Sequence, residues 1–161
     1  MAKKARGKSA SKVKKTQMLI VEARFYDHIA DRLLAGATQV LDAAGADYDR
    51  ISVPGALEIP AGIAIALDAA KARRTSYDGV IALGCVIEGE TYHFEVVSNE
   101  SARGLMELAL RERLAVGNGI LTVDTEEQAL ARAGGGKGNK GAEAAHAALT
   151  MAVLKQTLKG S

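Results

Sequence analysis

Apolar positions along this chain switch repeatedly between two patterns, a short continuous run and a recurrence every three or four residues. Met18-Leu19-Ile20-Val21 is a run, and Ile29, Leu33, Leu34, Ala37, Val40 and Leu41 then recur at helical spacing until Gly45. That predicts a strand followed by an amphipathic helix. Residues 48–53 alternate as a half-buried strand does, Pro54-Gly55 interrupts them, and residues 59–72 return to helical spacing. Residues 79–87 are the most apolar β-like stretch, expected of a strand covered on both faces, and residues 94–114 predict a long amphipathic helix. Residues 120–123 predict a fourth strand. Residues 126–133, the glycine run 134–138 and an alanine-rich helix over 141–158 complete the order.

Four β–α alternations predict a parallel sheet covered by helices. Folds of this kind bind ligands beyond the carboxyl ends of their strands, so the loops at 24–27, 54–58, 88–93 and 124–125 should gather at one edge. No apolar stretch approaches the roughly 20 residues of a membrane span, so no membrane partner is expected.

Composition changes this picture in one respect. The 161 residues are 48% hydrophobic and 25% charged, the balance of one ordinary globular domain, with a net charge of +2. Residues 1–16 hold Lys3, Lys4, Arg6, Lys8, Lys12, Lys14 and Lys15 and no acid. The rest is therefore acidic overall, and nucleic acid is disfavoured as a partner of the folded part. We read residues 1–16 as a disordered basic tail and residues 17–161 as a single domain. Cys85 is the only cysteine, which excludes an intrachain disulfide and a Cys-based zinc site and points to a reducing cytoplasm.

Candidate chemistry sits in the loops. The first βα loop, Glu22-Ala23-Arg24-Phe25-Tyr26-Asp27, lacks the glycine fingerprint of a dinucleotide fold, and Asn139-Lys140-Gly141 lacks the Ser or Thr of an ATP-binding phosphate loop. Glu58 follows Pro54-Gly55-Ala56-Leu57 in the first turn of a helix. It either caps that helix or accepts hydrogen bonds from a polyol, with the amides of Ala56 and Leu57 alongside. After the apolar strand come Gly89, Glu90, Thr91, Tyr92 and His93. Thr91 could cap the next helix or share a phosphate with backbone N–H groups, and His93 is either an exposed surface residue or a proton shuttle. Arg132 and Lys140 flank the glycine run. They are two solvated charges unless the chain folds back to bring both onto one anion.

In their order along the chain, Ala23-Arg24-Phe25, Val53-Pro54-Gly55-Ala56-Leu57-Glu58-Ile59-Pro60, Gly89-Glu90-Thr91-Tyr92-His93-Phe94, Gly119-Ile120-Leu121-Thr122, Glu127-Gln128-Ala129 with Arg132, and Asn139-Lys140-Gly141 with Glu143 closely resemble the lumazine synthase family. The likeness runs from about Leu19 to Leu158. It implies a flavodoxin-like three-layer α/β/α sandwich with a four-stranded parallel sheet, in subunits that form at least a ring of five. It implies condensation of 5-amino-6-(D-ribitylamino)uracil with 3,4-dihydroxy-2-butanone 4-phosphate to 6,7-dimethyl-8-ribityllumazine, with loss of phosphate and water and with no metal or redox cofactor. Carried over by resemblance, Phe25 stacks on the heterocycle, Ala56, Leu57 and Glu58 hold the ribityl chain, and Cys85, Val86 and Ile87 line the ring. Glu90, Thr91 and Arg132 then hold the phosphate, Lys140 joins Arg132, and His93 transfers protons.

The resemblance further implies that Arg132 serves a site whose Phe25, Glu58 and His93 belong to the neighbouring subunit. The short glycine connection resembles that of members forming closed, icosahedral sixty-subunit shells, and riboflavin synthase is a candidate partner. Three positions depart from the family pattern. Tyr26 stands where Asn is usual, Asn118 where many members place Phe against the pyrimidine, and Glu90 replaces a small residue. Its side chain is therefore expected to face away while its N–H serves. The competing readings are a non-catalytic flavin- or lumazine-binding or shell-forming paralogue and a generic flavodoxin-like binding module.

Overall fold

A computed structural model gives the fold and describes residues 15–160; residues 1–14, which carry most of the expected basic tail, lie outside the described residues. Of that segment, Lys15 pairs with Asp47 at 2.9 Å, and the Thr16 carbonyl accepts a hydrogen bond from the Asp47 N–H.

The elements alternate as the spacing predicts: β1 (Gln17–Ala23), α1 (Asp27–Ala43), β2 (Asp47–Val53), a single 3-10 turn (Ala56–Glu58), α2 (Ile59–Ala72), β3 (Gly79–Ile87), α3 (His93–Glu112), β4 (Val116–Val123), α4 (Glu126–Arg132) and α5 (Lys140–Leu158). All four strands are parallel, in the order β2-β1-β3-β4. This is the flavodoxin-like order, in which the chain winds outward from β1 in one direction and then in the other. Right-handed crossovers therefore put α1 on one face of the sheet and α2 and α3 on the other. Alternate strand residues feed the two cores. Met18, Ile20, Ile81, Leu83, Leu121 and Val123 pack with Ile29, Leu33 and Leu41 of α1 and the alanines of α5. Leu19, Val21, Val80, Ala82 and Ile120 pack with Ile59, Ile63, Val97, Leu105 and Leu108 of α2 and α3.

Most boundaries shift by one or two residues from the sequence reading, and the start of β4 shifts furthest. β4 begins at Val116 rather than near Ile120, because Gly117 and Gly119 belong to the strand and carry no side chain to mark it. Their lack of a side chain has a structural use. A Cβ on Gly117 would overlap the Ala144 carbonyl, and one on Gly119 would stand 2.8 Å from the Ala82 carbonyl oxygen and 3.1 Å from the Ala144 Cβ. Helix α5 thus lies directly on β4. At its other contact α5 crosses α1 where a Cβ on Gly141 would run into the Leu33 carbonyl. Asn139 secures that crossing: its Oδ1 accepts the Ala142 N–H at 3.1 Å as an N-cap, and its Nδ2 donates to the Arg32 carbonyl at 3.0 Å.

Candidate functional site

The carboxyl ends of β1, β2 and β3 open onto a cavity of about 430 Å³ lined by Phe25 and Tyr26, Pro54 to Glu58, Cys85, Val86, Ile87, Gly89, Thr91, His93, Phe94 and Val97. It lies at the point where the winding reverses between β1 and β3, the place a doubly wound sheet leaves open for a ligand. Phe25 displays its ring to this space and is 76% exposed. Cys85, Val86 and Ile87 are the last residues of β3 and are partly covered. A Cβ on Gly84 would stand 3.4 Å from the Ile59 Cδ1 and 3.6 Å from the Ala56 Cβ, so the 3-10 turn and the start of α2 lie close against β3.

Glu58 is not a cap. It occupies the position before α2 with αR backbone and no side-chain bond to the helix, and its Oε2 lies over Gly55, 3.0 Å from where a Cβ would be. The carboxylate is exposed and free to accept hydrogen bonds inside the cavity. Thr91 also fails to cap its helix. Tyr92 holds that position without a side-chain bond, so the exposed Thr91 hydroxyl is available to a ligand. The N–H groups of Gly89, Glu90 and Thr91 donate to no other described residue, and they precede the positive end of the 20-residue helix α3. His93 is the first residue of α3, exposed at the cavity wall. Glu90 is exposed and lines neither this cavity nor the second one.

Three groups at or near this cavity are shifted in acidity. Burial, with the charge of Glu126 added, pushes the Cys85 thiol up to about 12. It is therefore a neutral wall of the cavity at physiological pH rather than a nucleophile. Burial likewise raises the Tyr26 phenol, beside Cys85 and Glu126. Glu88 is raised by its hydrogen bond to Asp124 and by that neighbour's charge.

The remaining sequence candidates lie elsewhere. Asn118, Arg132 and Lys140 line a second cavity of about 520 Å³ together with residues 120–123 of β4, Lys137 and Glu143. The glycine run is what assembles it. Gly134, Gly136 and Gly138 take φ of 94°, 120° and 73°, values that Cβ-bearing residues resist. The chain folds back through a Gly134 N–H to Gly138 carbonyl bond of 2.8 Å, a Lys137 N–H to Ala131 carbonyl bond of 2.8 Å, and an antiparallel bridge between Ala133 and Asn139. The run is thus a defined hairpin, and it brings Arg132, Lys137 and Lys140 to one hollow. Arg132 donates from one guanidinium nitrogen to the Gln128 carbonyl at 3.1 Å, and Lys140 lies 3.8 Å from the Glu143 carboxylate. Asn118 folds its Oδ1 onto the Ile120 N–H at 3.0 Å.

The two cavities share no lining residue. Sequence reasoning missed Lys137, which only the hairpin brings into place, and the charges behind the Phe25 loop. Glu22, fully buried in β1, binds Arg24 through both oxygens at 3.2 Å and accepts from the Ser52 hydroxyl at 3.3 Å. A charged residue at the end of an otherwise apolar strand was its only signal.

Fold and clefts together define an α/β protein of the flavodoxin-like kind, with one cleft walled by an exposed aromatic ring, apolar strand ends and the Glu58 carboxylate and another lined by Arg132, Lys137 and Lys140. The sequence model of the 6,7-dimethyl-8-ribityllumazine synthase family matches residues 15–156. Similar proteins include the 6,7-dimethyl-8-ribityllumazine synthase 1 of Rhizobium meliloti (strain 1021), 63% identical over 148 residues, 92% of this chain and 97% of the relative. Those of Agrobacterium fabrum (62% over 146 residues; 91% and 99%) and Nitrobacter hamburgensis (56% over 157 residues; 98% and 96%) are close in the same way. The chain belongs to the 6,7-dimethyl-8-ribityllumazine synthase family.

Proposed function

We infer that the chain is a transferase that condenses 5-amino-6-(D-ribitylamino)uracil with 3,4-dihydroxy-2-butanone 4-phosphate, giving 6,7-dimethyl-8-ribityllumazine, phosphate and water, the step before riboflavin. Family membership carries the reaction. The observation that carries our reading of the site is the separation of the candidate residues into two clefts of one chain, each with half of what the reaction needs. A complete site then forms where the first cleft of one subunit meets the second cleft of its neighbour.

In this arrangement Phe25 stacks on the pyrimidine, Glu58 accepts hydrogen bonds from ribityl hydroxyls beside the amides of Ala56 and Leu57, and Cys85, Val86 and Ile87 form an apolar wall. The phosphate lies between the N–H groups at Glu90 and Thr91, the Thr91 hydroxyl, and the neighbour's Arg132 and Lys140, where a helix N-terminus and cations act on the same anion. Asn118 borders the pyrimidine side with an amide instead of a ring. Imine formation, phosphate loss and ring closure each relocate protons, and His93 at the cavity wall is placed to carry them. No step changes the oxidation state, so the reaction itself calls for no redox group. Holding the amine and ketone together supplies much of the acceleration. We place the enzyme in the cytoplasm as a homopentamer, with the short hairpin 134–138 compatible with closed icosahedral shells, and with riboflavin synthase as the partner that would consume the product.

The test is complementation between inactive halves. His93→Ala should lower kcat by about 10²- to 10⁴-fold with measurable turnover left. Arg132→Ala should raise KM for the phosphate substrate by about tenfold or more. Exchanged mixtures of the two, verified as mixed rings by mass, should recover activity above either parent. Mixed rings without recovery would count against shared sites.

A further inference from the structure

The residue presented to the first cleft is held from both sides, and one of its holders is Tyr26. Phe25 is the middle of three residues joining β1 to α1, and its ring is mostly exposed. A ring so exposed would ordinarily sample several rotamers, and ordering it on a ligand costs binding free energy. Here the residues before and after it are fixed. Arg24 donates to both oxygens of the buried Glu22 and to Asp27 at 3.2 Å, and pairs with Asp31 as well. Tyr26 is packed against the core between the sheet, α1 and α5, and its carbonyl accepts the Ala30 N–H that opens α1. From that anchored position the Tyr26 ring meets the Phe25 ring in an edge-on arrangement, centroids 5.0 Å apart and planes at 74°. Both rings line the same cavity.

We propose that Tyr26 is a positioning residue for the ring-bearing substrate, holding Phe25 by edge-to-face contact in the pose that stacks on the pyrimidine. The proposal rests on the reading above that Phe25 stacks there. Tyr26 acts through its ring and not its hydroxyl, which has no hydrogen-bond partner among the described residues.

A double-mutant cycle separates this role from plain core filling. KM for 5-amino-6-(D-ribitylamino)uracil is measured at saturating phosphate substrate, together with thermal stability, for Tyr26→Leu, Tyr26→Phe, Phe25→Ala and Phe25→Ala with Tyr26→Leu. Tyr26→Leu should raise that KM by about 2- to 10-fold, the range of an aromatic pair, with kcat changed less than about twofold. Tyr26→Phe should behave as wild type. In the Phe25→Ala background Tyr26→Leu should add less than about twofold, because the ring it would have held is gone. Tyr26→Met is read the same way if Tyr26→Leu does not fold. An equal rise in both backgrounds, or no rise with Phe25 present, overturns the proposal while leaving the stacking role of Phe25 intact. If Phe25→Ala itself leaves KM unchanged, the stacking reading fails and the proposal falls with it.

Discussion

Gly117→Ala puts a single methyl group against the tightest backbone approach between the edge strand β4 and the last helix, α5. In a strand, alanine for glycine normally stabilises by a few tenths to about 1 kcal/mol, through the entropy of the unfolded chain, and Gly117 has no positive φ to oppose this. The surroundings reverse the sign. The added Cβ would overlap the Ala144 carbonyl oxygen and stand 2.6 Å from its carbon and 3.1 Å from its Cα, all backbone atoms of α5. No side-chain rotation relieves that, so α5 must move away from β4. Overpacking of this kind costs about 1–3 kcal/mol and more where backbone must shift; we expect about 3 kcal/mol. For a chain of this size that is a fall in Tm of about 6–12 °C, read by calorimetry at fixed protein concentration so that assembly does not contribute. Gly119→Ala should cost less, because one of its two 2.8 Å neighbours is the far end of the Leu83 side chain, while Gly89→Ala, with nothing within 4 Å, should stay within about 0.5 kcal/mol of wild type. Activity should follow the same order for the two strand glycines, since β4 and the start of α5 line the second cleft. A Gly117→Ala protein as stable as Gly89→Ala would refute the close approach of α5 to β4.

Asn139→Ala removes both the cap of α5 and the bond to the Arg32 carbonyl, and should destabilise by about 1–2 kcal/mol, measurable by urea unfolding; Asn139→Asp, which keeps an accepting oxygen, should recover part of it. Cys85 predicts a pH dependence. Its folded-state pKa is raised to about 12, so its contribution to stability is complete below pH 9 and is lost as pH rises from 9 toward 12. Cys85→Ala should flatten the alkaline limb of stability against pH, and native Cys85 should react with iodoacetamide at pH 8 far more slowly than in urea. Equal labelling rates in the two states would remove the argument for a protected thiol.

The order of elements and the parallel sheet were legible in the spacing of apolar residues, because each helix or strand shows its buried face within a few residues of sequence. The family was legible too, because short motifs recur in a fixed order, with Phe25, Glu58, His93 and Arg132 among them. The start of β4 was not, since Gly117 and Gly119 leave no hydrophobic signature and are explained only by the carbonyls of other elements that press on them. Nor was the hairpin of residues 134–138, where glycines that read as a loose connection take left-handed backbone and bring Lys137 beside Arg132 and Lys140. Glu22 read as the first residue of a loop, whereas it belongs to β1 and is the buried partner of Arg24 behind Phe25. Local spacing records which face of an element is buried, whereas backbone-to-backbone approach and the gathering of distant charges depend on chain segments far apart in sequence. The division of the candidate residues into two clefts is of that second kind, and only the tertiary structure decided it.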